Sequence, residues 1–440
     1  MYAYDLRLAW HSIRRNPGLA ALMVLAIALG VAVVTVTFTV YHAMATNPIE
    51  HKSERLNAVT LDTWDPQEPY EEDKPEHPPT LMTYKDATHL YGSKAAPRAL
   101  IMYKSGVLVL PERPGVKPFD ALTRVTTHEF FSMFDVPFQY GSGWDAAADD
   151  ARARVAVVSK ALNDKLFGGA NSVGRTLRMD NTDFRIIGVL KEWRPVPKFY
   201  DLNVSDHGYG ETEQVFLPFS TSRELDLGRS GNMNCYDTNP EGMRSTDVGA
   251  NCNWIQFWVQ LDTPAKAAEY KSFLENYSSQ QRAAGRFHRP NNVRLRNLME
   301  FLSFNKVVPG DVNLQMWLAL AFLLVCLVNT IGLLLAKFLR RSSEVGVRRA
   351  LGASRRAIFA QCMIEAGTVG LAGGVLGLGL AELGLWAVRH QPTEYATLAQ
   401  LDPLMLATTF VLAIVASLLA GVLPAWRACL VSPAIQLKSQ

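Results

Sequence analysis

The stretch from Leu19 to Met44 reads LAALMVLAIALGVAVVTVTFTVYHAM and contains no charged residue. A helix needs about 20 apolar residues to cross a hydrocarbon core of roughly 30 Å. Uncharged runs above about 18 residues are rare in buried helices of soluble proteins. The stretch is also too long for the apolar core of a typical signal peptide, although residues 43–45 match a cleavage site weakly. We therefore predict a retained membrane-spanning helix that also targets the chain.

Three further apolar blocks lie near the C-terminal end, and a long polar segment separates them from the first. They run from about 314 to 338, from 358 to 388 and from 404 to 423. Averages over the chain hide this pattern, because 440 residues with 48% hydrophobic residues, a formal charge of +3 and a mean hydropathy of +0.03 would also suit a large soluble protein. The distribution of the apolar residues predicts four membrane-spanning helices.

Basic residues flank the apolar blocks unevenly, and cytoplasmic loops of membrane proteins carry an excess of Lys and Arg. The connection between the third and fourth blocks carries only Arg389. The other flanks are richer, with Arg7, Arg14 and Arg15 before the first block, Lys337, Arg340, Arg341, Arg348, Arg349, Arg355 and Arg356 between the second and third, and Arg427 and Lys438 after the fourth. We therefore expect both termini and the second connection in the cytoplasm, and the long polar segment outside.

The outside segment has its clearest pattern between residues 154 and 190. The predicted elements are a strand at 154–159, a helix at 160–167 that stops at Gly168-Gly169, and strands at 175–179 and 184–189 around a turn at 180–183. This density predicts a compact α/β domain. Regularity fades from about 201 to 254, where we predict an insertion, and returns with a helix at 263–284 and a final strand within 291–310.

Two of the five cysteines, Cys235 and Cys252, lie in the outside segment. Outside the cytoplasm the compartment favours disulfides, and a bond closing this short loop would stabilise the fold by roughly 3 kcal/mol in the chain-entropy model. The sequence favours this bond, and two free thiols are the alternative.

The sequence contains no constellation typical of an enzyme. It has no G-x-x-x-x-G-K-[ST] phosphate loop and no G-x-S-x-G nucleophile elbow. His128-Glu129 begins like a zinc-protease motif, but Ser132 stands where the second histidine belongs. We expect no cofactor in this chain, no catalytic residue, no metal site and no nucleic-acid partner.

The second connection has the most specific pattern, with RSSEVGVRRALGAS at 341–354. We predict a short helix over 343–351 that ends at Gly352, followed by Ser354 as the N-cap of the next span. A simple basic inner loop is the alternative. The residues that we expect to couple this helix to an ATPase are Glu344, Gly346, Arg348, Arg349, Gly352 and Ser354.

The third span is rich in glycine and carries one acidic residue. Gly370, Gly373, Gly374 and Gly377 form two overlapping G-x-x-x-G motifs, which permit close packing of helices. The pattern leaves open whether they pack within one subunit or between two. Glu365 lies inside the span and needs a partner or a polar crevice, because a charge there costs roughly 2.5–3.5 kcal/mol on insertion scales.

Several stretches resemble one family, the FtsX-like permeases with a MacB-like periplasmic core. The second connection at 343–354, followed by Ile364-Glu365-Ala366, resembles the FtsX-like permease signature. The other matching stretches are RVAVVS at 154–159, LFGG at 166–169, VGRTL at 173–177, IIGVL at 186–190, LPAWRA at 423–428, SPA at 432–434 and the beginning of the first span at 16–30. Together they extend over nearly the whole chain in the order of the family.

The resemblance implies an α-helical membrane protein of the bacterial inner (cytoplasmic) membrane, with four transmembrane helices and a large mixed α/β periplasmic domain between helices 1 and 2. The residue patterns and the resemblance together predict an amphipathic interfacial helix (1–17), transmembrane helix 1 (18–46), the periplasmic domain (47–311) with an insertion near 201–254, transmembrane helix 2 (312–338), a cytoplasmic coupling helix (339–354), transmembrane helix 3 (355–390), a periplasmic loop (391–402), transmembrane helix 4 (403–426) and a cytoplasmic tail (427–440).

The resemblance also implies partners. It predicts a cytoplasmic ABC ATPase that binds ATP and Mg²⁺ on a separate polypeptide, and a second permease copy or paralogue in a dimer. Membrane lipids, a periplasmic adaptor and an outer-membrane channel are further expected partners. The implied mechanism is mechanotransmission, in which ATP-driven motion is relayed to the periplasmic domain to export or extract a hydrophobic compound, peptide or lipid. The alternatives are a non-transporting regulator of a periplasmic enzyme and a lipoprotein-releasing permease.

Overall fold

A computed structural model describes residues 17–202, 208–236, 241–391 and 403–430. These residues form two compact units, which the chain connects at residues 45–46 and 307–308. We call residues 46–307 the α/β unit and the other described residues the membrane-helix unit. The predicted interfacial helix before residue 17, most of the predicted periplasmic loop and the tail beyond residue 430 lie outside the described residues.

Among the described residues, strands occur only in the α/β unit, where they alternate with helices. In chain order the elements are α1 (Pro17–Ala45), β1 (Leu56–Leu61), β2 (Met82–Thr83), α2 (Tyr84–Gly92), β3 (Arg98–Val109), β4 (Phe119–Thr126), α3 (Glu129–Met133), β5 (Phe138–Gly141), α4 (Ala146–Asp150), β6 (Val155–Val158), α5 (Lys160–Phe167), β7 (Thr176–Met179), β8 (Thr182–Leu190), a 3-10 turn (Phe199–Asp201), β9 (Val215–Pro218), α6 (Phe219–Glu224), β10 (Asn234–Cys235), β11 (Cys252–Gln260), α7 (Pro264–Ala283), β12 (Val293–Asn297), α8 (Leu298–Phe304), α9 (Gly310–Arg340), α10 (Ser342–Ala350), α11 (Arg355–Arg389) and α12 (Pro403–Cys429).

Within the described residues, α1, α9, α11 and α12 are the four helices long and apolar enough to cross a membrane. The large mixed α/β unit lies between the first two of them in the chain, so the expected fold class is confirmed. The predicted spans at 18–46 and 355–390 differ from α1 and α11 by a residue at an end. The helices α9 and α12 extend by two or three residues beyond the predicted 312–338 and 403–426.

Small residues set the packing of the membrane-helix unit. Gly30 of α1 lies directly against Leu323 and Cys326 of α9, where an added Cβ would come within 2.9 Å of the leucine side chain. Close approach of this kind lets dispersion forces and polar contacts hold helices together where no hydrophobic effect acts between them. One such polar contact joins the buried hydroxyls of Thr35 and Thr409, 3.1 Å apart.

The α/β unit is built on one mixed sheet. The strand order is β12-β1-β11-β3-β4-β9-β6-β8-β5, and the short strands β2, β7 and β10 pair at its sides. Most neighbours are antiparallel, but β4 with β9 and β6 with β8 are parallel. Every residue of β11 is buried, as expected for a strand covered on both faces. The core is therefore organised around β11 and its neighbour β3.

The segment from 154 to 190 has the elements that its pattern predicts. The helix α5 begins at Ser159, whose Oγ accepts a hydrogen bond from the backbone N–H of Leu162, and ends at Gly168, which has a φ of +66°. The turn after β7 is shorter than predicted. Asp180 takes a positive φ of +50°, and this allows a tight two-residue hairpin, so that β8 begins at Thr182.

The predicted insertion near 201–254 is only partly an insertion, because residues 215–224 belong to the regular structure of the domain. Residues 215–218 form β9, an interior strand between β4 and β6, and α6 follows at once. The strand is hard to predict because it is four residues long and ends in Pro218, and proline weakens a strand pattern. The chain after 291 also holds more than a strand, since Asn297 and Glu300 form a capping box that starts α8.

A buried ion network joins the middle of the sheet to the chain around residue 200. The Arg124 guanidinium, 0% exposed, contacts Glu213 and lies 2.5 Å from Asp201. Lys198 Nζ lies 2.9 Å from Asp201 and 3.4 Å from Glu213, and the Tyr200 hydroxyl donates to Glu213 at 2.8 Å. Burial alone would raise the pKa of the Glu213 carboxyl, but the charges of Arg124 and Lys198 outweigh it and lower the pKa to about 2.

Candidate functional site

The second connection folds as the short helix α10, and its charged side chains pair with one another. Arg348 Nη2 donates to Glu344 Oε1 at 3.0 Å, and Arg341 Nε donates to Glu344 Oε2 at 3.2 Å. Pairs three or four residues apart on a partly exposed helix add only about 0.3–0.5 kcal/mol each. Their effect is to fix the orientation of the carboxylate rather than to stabilise the fold.

Two of the arginines also tie α10 to neighbouring helices. Arg348 Nη1 donates to Gln361 Oε1 of α11 at 3.0 Å. Arg349 Nη1 donates to the backbone carbonyl of Cys429, at the end of α12, at 3.3 Å. Gly346 is the buried residue of α10. The short helix is therefore attached to two of the long helices through side chains as well as through the backbone.

A sharp turn joins α10 to α11. Gly352 has a φ of +99°, a region that side chains other than glycine rarely tolerate. No heavy atom lies within 4 Å of the position that its Cβ would take, so the turn and not close packing requires glycine here. The Ser354 Oγ then accepts from the backbone N–H of Ala357 at 3.2 Å and caps α11.

A buried ion pair close to α10 joins the long helices α9 and α11. Lys337 Nζ, near the end of α9, contacts Glu365 Oε1 of α11, and their side chains are 1% and 4% exposed. Arg341 Nη1 approaches the other oxygen of Glu365 at 3.5 Å. Arg341 therefore contacts both the buried Glu365 and the surface residue Glu344. A continuous series of charged contacts leads from the interior of the helices to the short helix.

The same residues border a small cleft at this end of the unit. It is lined by Phe338, Arg341, Glu344, Val345, Arg348, Ile358, Gln361, Cys362, Glu365 and Ala428. Sequence reasoning assigns Glu365 a partner without identifying it. Lys337 is visible in the sequence as a cation at the end of the second apolar block, as Arg340 and Arg341 are, but the sequence does not show which of them faces Glu365. What the sequence lacks is the rotation of α9 relative to α11.

The four glycines of α11 divide between two adjacent faces of the helix. A Cβ at Gly370 or Gly374 would meet Ser417 or Ala413 of α12, and one at Gly373 or Gly377 would meet residues of α1. All four glycines are buried. The two motifs thus bring α11 close to α12 on one face and to α1 on the adjacent face, and this packing lies within one copy of the chain.

The two cysteines of the outside segment lie at one side of the sheet. Cys235 and Cys252 form a disulfide, and they are also directly paired residues of β10 and β11. The bond fixes the irregular chain before residue 252 to the most buried strand. The other cysteines, Cys326, Cys362 and Cys429, are free and buried in the membrane-helix unit.

Comparisons with known proteins match both units. A family model described as the MacB-like periplasmic core domain matches residues 20–277, and one described as the FtsX-like permease C-terminal domain matches residues 316–433. The macrolide export ATP-binding/permease protein MacB of Azoarcus sp. (strain BH72) is 26% identical over 299 residues, which cover 67% of this chain and 39% of that protein. The pyoverdine export ATP-binding/permease protein PvdT of Pseudomonas aeruginosa is 23% identical over 439 residues, 99% of this chain and 58% of that protein.

Among solved structures, the periplasmic region of MacB from Actinobacillus actinomycetemcomitans overlaps 60% of this chain and 97% of that chain. The identity is 15% and the TM-score 0.37. The chain spans about two fifths of the length of the Azoarcus MacB protein and about three fifths of the length of the Pseudomonas PvdT protein.

Proposed function

Since this chain belongs to the family of membrane permeases that have a MacB-like periplasmic core domain and an FtsX-like permease domain, we propose that it is the membrane-spanning subunit of an ATP-driven exporter. The names of two relatives give macrolide export and pyoverdine export. The proposed cargo is accordingly a hydrophobic compound, a peptide or a lipid. The 440 residues contain no phosphate loop, so the proposed source of energy is a partner ATPase that binds ATP and Mg²⁺.

The attachment of α10 is the observation that carries this proposal. A force on α10 is passed to α11 through the capped turn at Ser354 and the Arg348–Gln361 contact, and to α12 through Arg349. The glycines of α11 present no side chains of their own to α1 and α12, and the proposed motion is a shift of α11 along these close contacts. The helices α1 and α9 lead directly along the chain into the α/β unit, which gives the motion two covalent routes out of the membrane.

The proposed contact for the ATPase is the outer surface of α10 together with Leu351, the residue that follows the helix. Leu351 is 83% exposed and Val347 is 54% exposed, and residues four apart lie on one side of a helix. Two large apolar side chains exposed at a basic membrane surface suit insertion into a groove of a protein partner. The proposed contact requires α10 to lie in the cytoplasm, which is also what the basic residues around it favour.

A second copy of the chain is the proposed partner of α9. Leu314, Trp317, Leu318, Leu324, Val325 and Val328 form an exposed apolar stripe on this helix. The exposed Asn329 lies beside the stripe, and a polar side chain inside a membrane favours a hydrogen bond across a helix–helix interface. Single cysteines at positions 325 and 329 should cross-link two copies in membranes, whereas a cysteine at the buried position 323 should not.

The test of coupling uses the full chain reconstituted with its partner ATPase. We expect V347S/L351S to reduce co-purification of the ATPase at least tenfold, and G346L to preserve docking but abolish the stimulation of ATP hydrolysis by cargo. V248S is the control, because Val248 is 56% exposed in the α/β unit. Normal docking and normal transport by both variants would reduce α10 to a basic membrane anchor. Normal docking without export, together with activation of a periplasmic enzyme, would instead support the regulatory alternative.

A further inference from the structure

The α/β unit contains a small group of a histidine and two carboxylates that the proposed transport function does not use. His128 and Glu129 lie at the beginning of α3, and Asp149 lies in α4. His128 Nδ1 is 2.9 Å from Asp149 Oδ2 and 3.4 Å from Glu129 Oε2. One ligand atom of each residue lies within 4.8 Å of the others. We propose that these three side chains bind one divalent transition-metal cation of the Zn²⁺ class.

Hydrogen bonds from outside the group hold both carboxylates in place. The Tyr91 hydroxyl donates to both oxygens of Glu129 at 3.1 Å. Trp144 Nε1 donates to Asp149 Oδ1 at 3.0 Å, and the backbone N–H of His128 donates to Oδ2 at 2.8 Å. Outer contacts of this kind orient ligands and raise metal affinity by about 10- to 100-fold in known sites. The carboxylates are thus fixed before any ion arrives.

The two distances from His128 Nδ1 to the carboxylates suit a small four-coordinate cation. Zinc ligands lie about 2.0–2.2 Å from the metal, which at tetrahedral angles separates neighbouring ligand atoms by about 3.3–3.6 Å. The His128–Glu129 distance already has this value, and the His128–Asp149 contact must open by about half an ångström. One imidazole nitrogen with two carboxylate oxygens is a donor set that suits Zn²⁺ or Mn²⁺ better than a soft cation.

The site is also accessible. The side chains of His128, Glu129 and Asp149 are 27%, 16% and 11% exposed. Three protein ligands leave a fourth position for water or for a group of a partner. A bound ion would join α3 to α4, which are otherwise linked here by hydrogen bonds. The competing arrangement is a protonated imidazole held between the two carboxylates, with no metal.

Cobalt(II) separates the two arrangements, because it replaces zinc and absorbs visible light strongly only in a low-symmetry site. The full-length protein in detergent, stripped with EDTA and titrated with Co²⁺, should take up one ion per chain and develop these bands. Added Zn²⁺ should displace the cobalt. Zinc should also raise the melting temperature of the α/β unit by about 5 °C at an excess of about 100-fold over the dissociation constant.

Two variants and one control identify the ligands. H128N and E129Q should each weaken Co²⁺ binding at least tenfold, and E129Q preserves a hydrogen-bond partner for Tyr91. H51N is the matched control, since His51 also pairs with a carboxylate, Asp135, at 2.7 Å, and it should bind Co²⁺ like the wild type. Absence of the bands in the wild type overturns the proposal and leaves the protonated imidazole. Bands that persist in both H128N and E129Q overturn it as well.

Discussion

In the α/β unit, every member of the network around Arg124 is buried; the members are Arg124, Lys198, Tyr200, Asp201 and Glu213. The network around Lys337 in the membrane-helix unit instead extends from the interior to the surface; its members are Lys337, Glu365, Arg341, Glu344 and Arg348. Arg124 and Lys198 are 0% and 2% exposed. In the membrane-helix unit, exposure rises from 1% at Lys337 to 34% at Arg348. We call the Arg124 network closed, because all of its members are buried. Such a network in a low dielectric has one favourable arrangement, since any shift leaves a buried charge without its partner.

We call the Lys337 network open, because it reaches the surface, and its charged groups can rearrange more easily. Arg341 contacts Glu365 on one side and Glu344 on the other, so a displacement of α10 changes the balance between two available partners. The comparison therefore assigns the first network to stability and the second to motion. Four measurements test this division, beginning with the one for which we expect the largest effect.

Removing the central cation of the closed network should destabilise the α/β unit severely. We expect R124M to cost about 3–5 kcal/mol of unfolding free energy, because the two buried carboxylates of Asp201 and Glu213 would then depend on Lys198 as their shared cation. Denaturant unfolding followed by tryptophan fluorescence measures this cost. The control R152M, at a guanidinium 62% exposed and 3.8 Å from Glu224, should stay within about 0.5 kcal/mol of wild type. Equal effects of the two variants would contradict the division.

The closed network should also lose stability in acid. The pKa of Glu213 is lowered to about 2 in the fold, whereas its ordinary value is 4.5. A depressed pKa contributes stability that is present above pH 4.5 and is lost as the pH falls towards 2. The shift corresponds to about 3 kcal/mol. The difference in unfolding free energy between wild type and E213Q should shrink by this amount over that range, and a constant difference would show that Glu213 is not held ionised.

Much of the fold follows from the sequence, because the signals concerned are local. The uncharged block at 19–44 specifies a helix by its length, and the pattern at 154–190 specifies α5 by its caps at Ser159 and Gly168. The turn at Gly352 is local in the same way. The sequence-based boundary fails at β9, where a four-residue strand owes its existence to pairing with strands far away in the chain.

The sites made of distant residues are the ones that local patterns miss. Lys337 and Glu365 face each other only because α9 and α11 pack in one particular rotation. The Arg124 network likewise joins residues that are 89 positions apart in the chain, Arg124 and Glu213. The four glycines of α11 are identified as packing residues by their spacing, but their division between α1 and α12 depends on the three-dimensional arrangement.

Breaking the buried pair of the open network should have an intermediate effect. We expect K337M to cost about 2 kcal/mol, less than R124M, because Arg341 remains near Glu365. Cargo-stimulated ATP hydrolysis with the partner ATPase should fall about tenfold. The double variant K337M/E365M replaces the pair by apolar side chains and should recover the thermal stability. If it also recovers coupling, the pair is structural like the Arg124 network, and the assignment to motion is wrong. R356M, at an exposed arginine of α11, is the control for loss of charge.

The smallest stability effect should come from the outer end of the open network, and there stability and coupling should separate. The Glu344–Arg348 pair is about one third exposed on each side, so E344R should change the unfolding free energy by only about 0.5 kcal/mol. The substitution nevertheless repels Arg341 and Arg348, which orient α10 towards Glu365 and Gln361. Cargo-stimulated hydrolysis should therefore fall, while the melting temperature and the amount of protein in the membrane stay unchanged. The swapped variant E344R/R348E restores the pair itself but leaves Arg341 beside an arginine in place of Glu344, so it should recover coupling only in part. Full recovery would mean that the local pair is sufficient, and an unchanged E344R would mean that the outer half of the network takes no part in coupling.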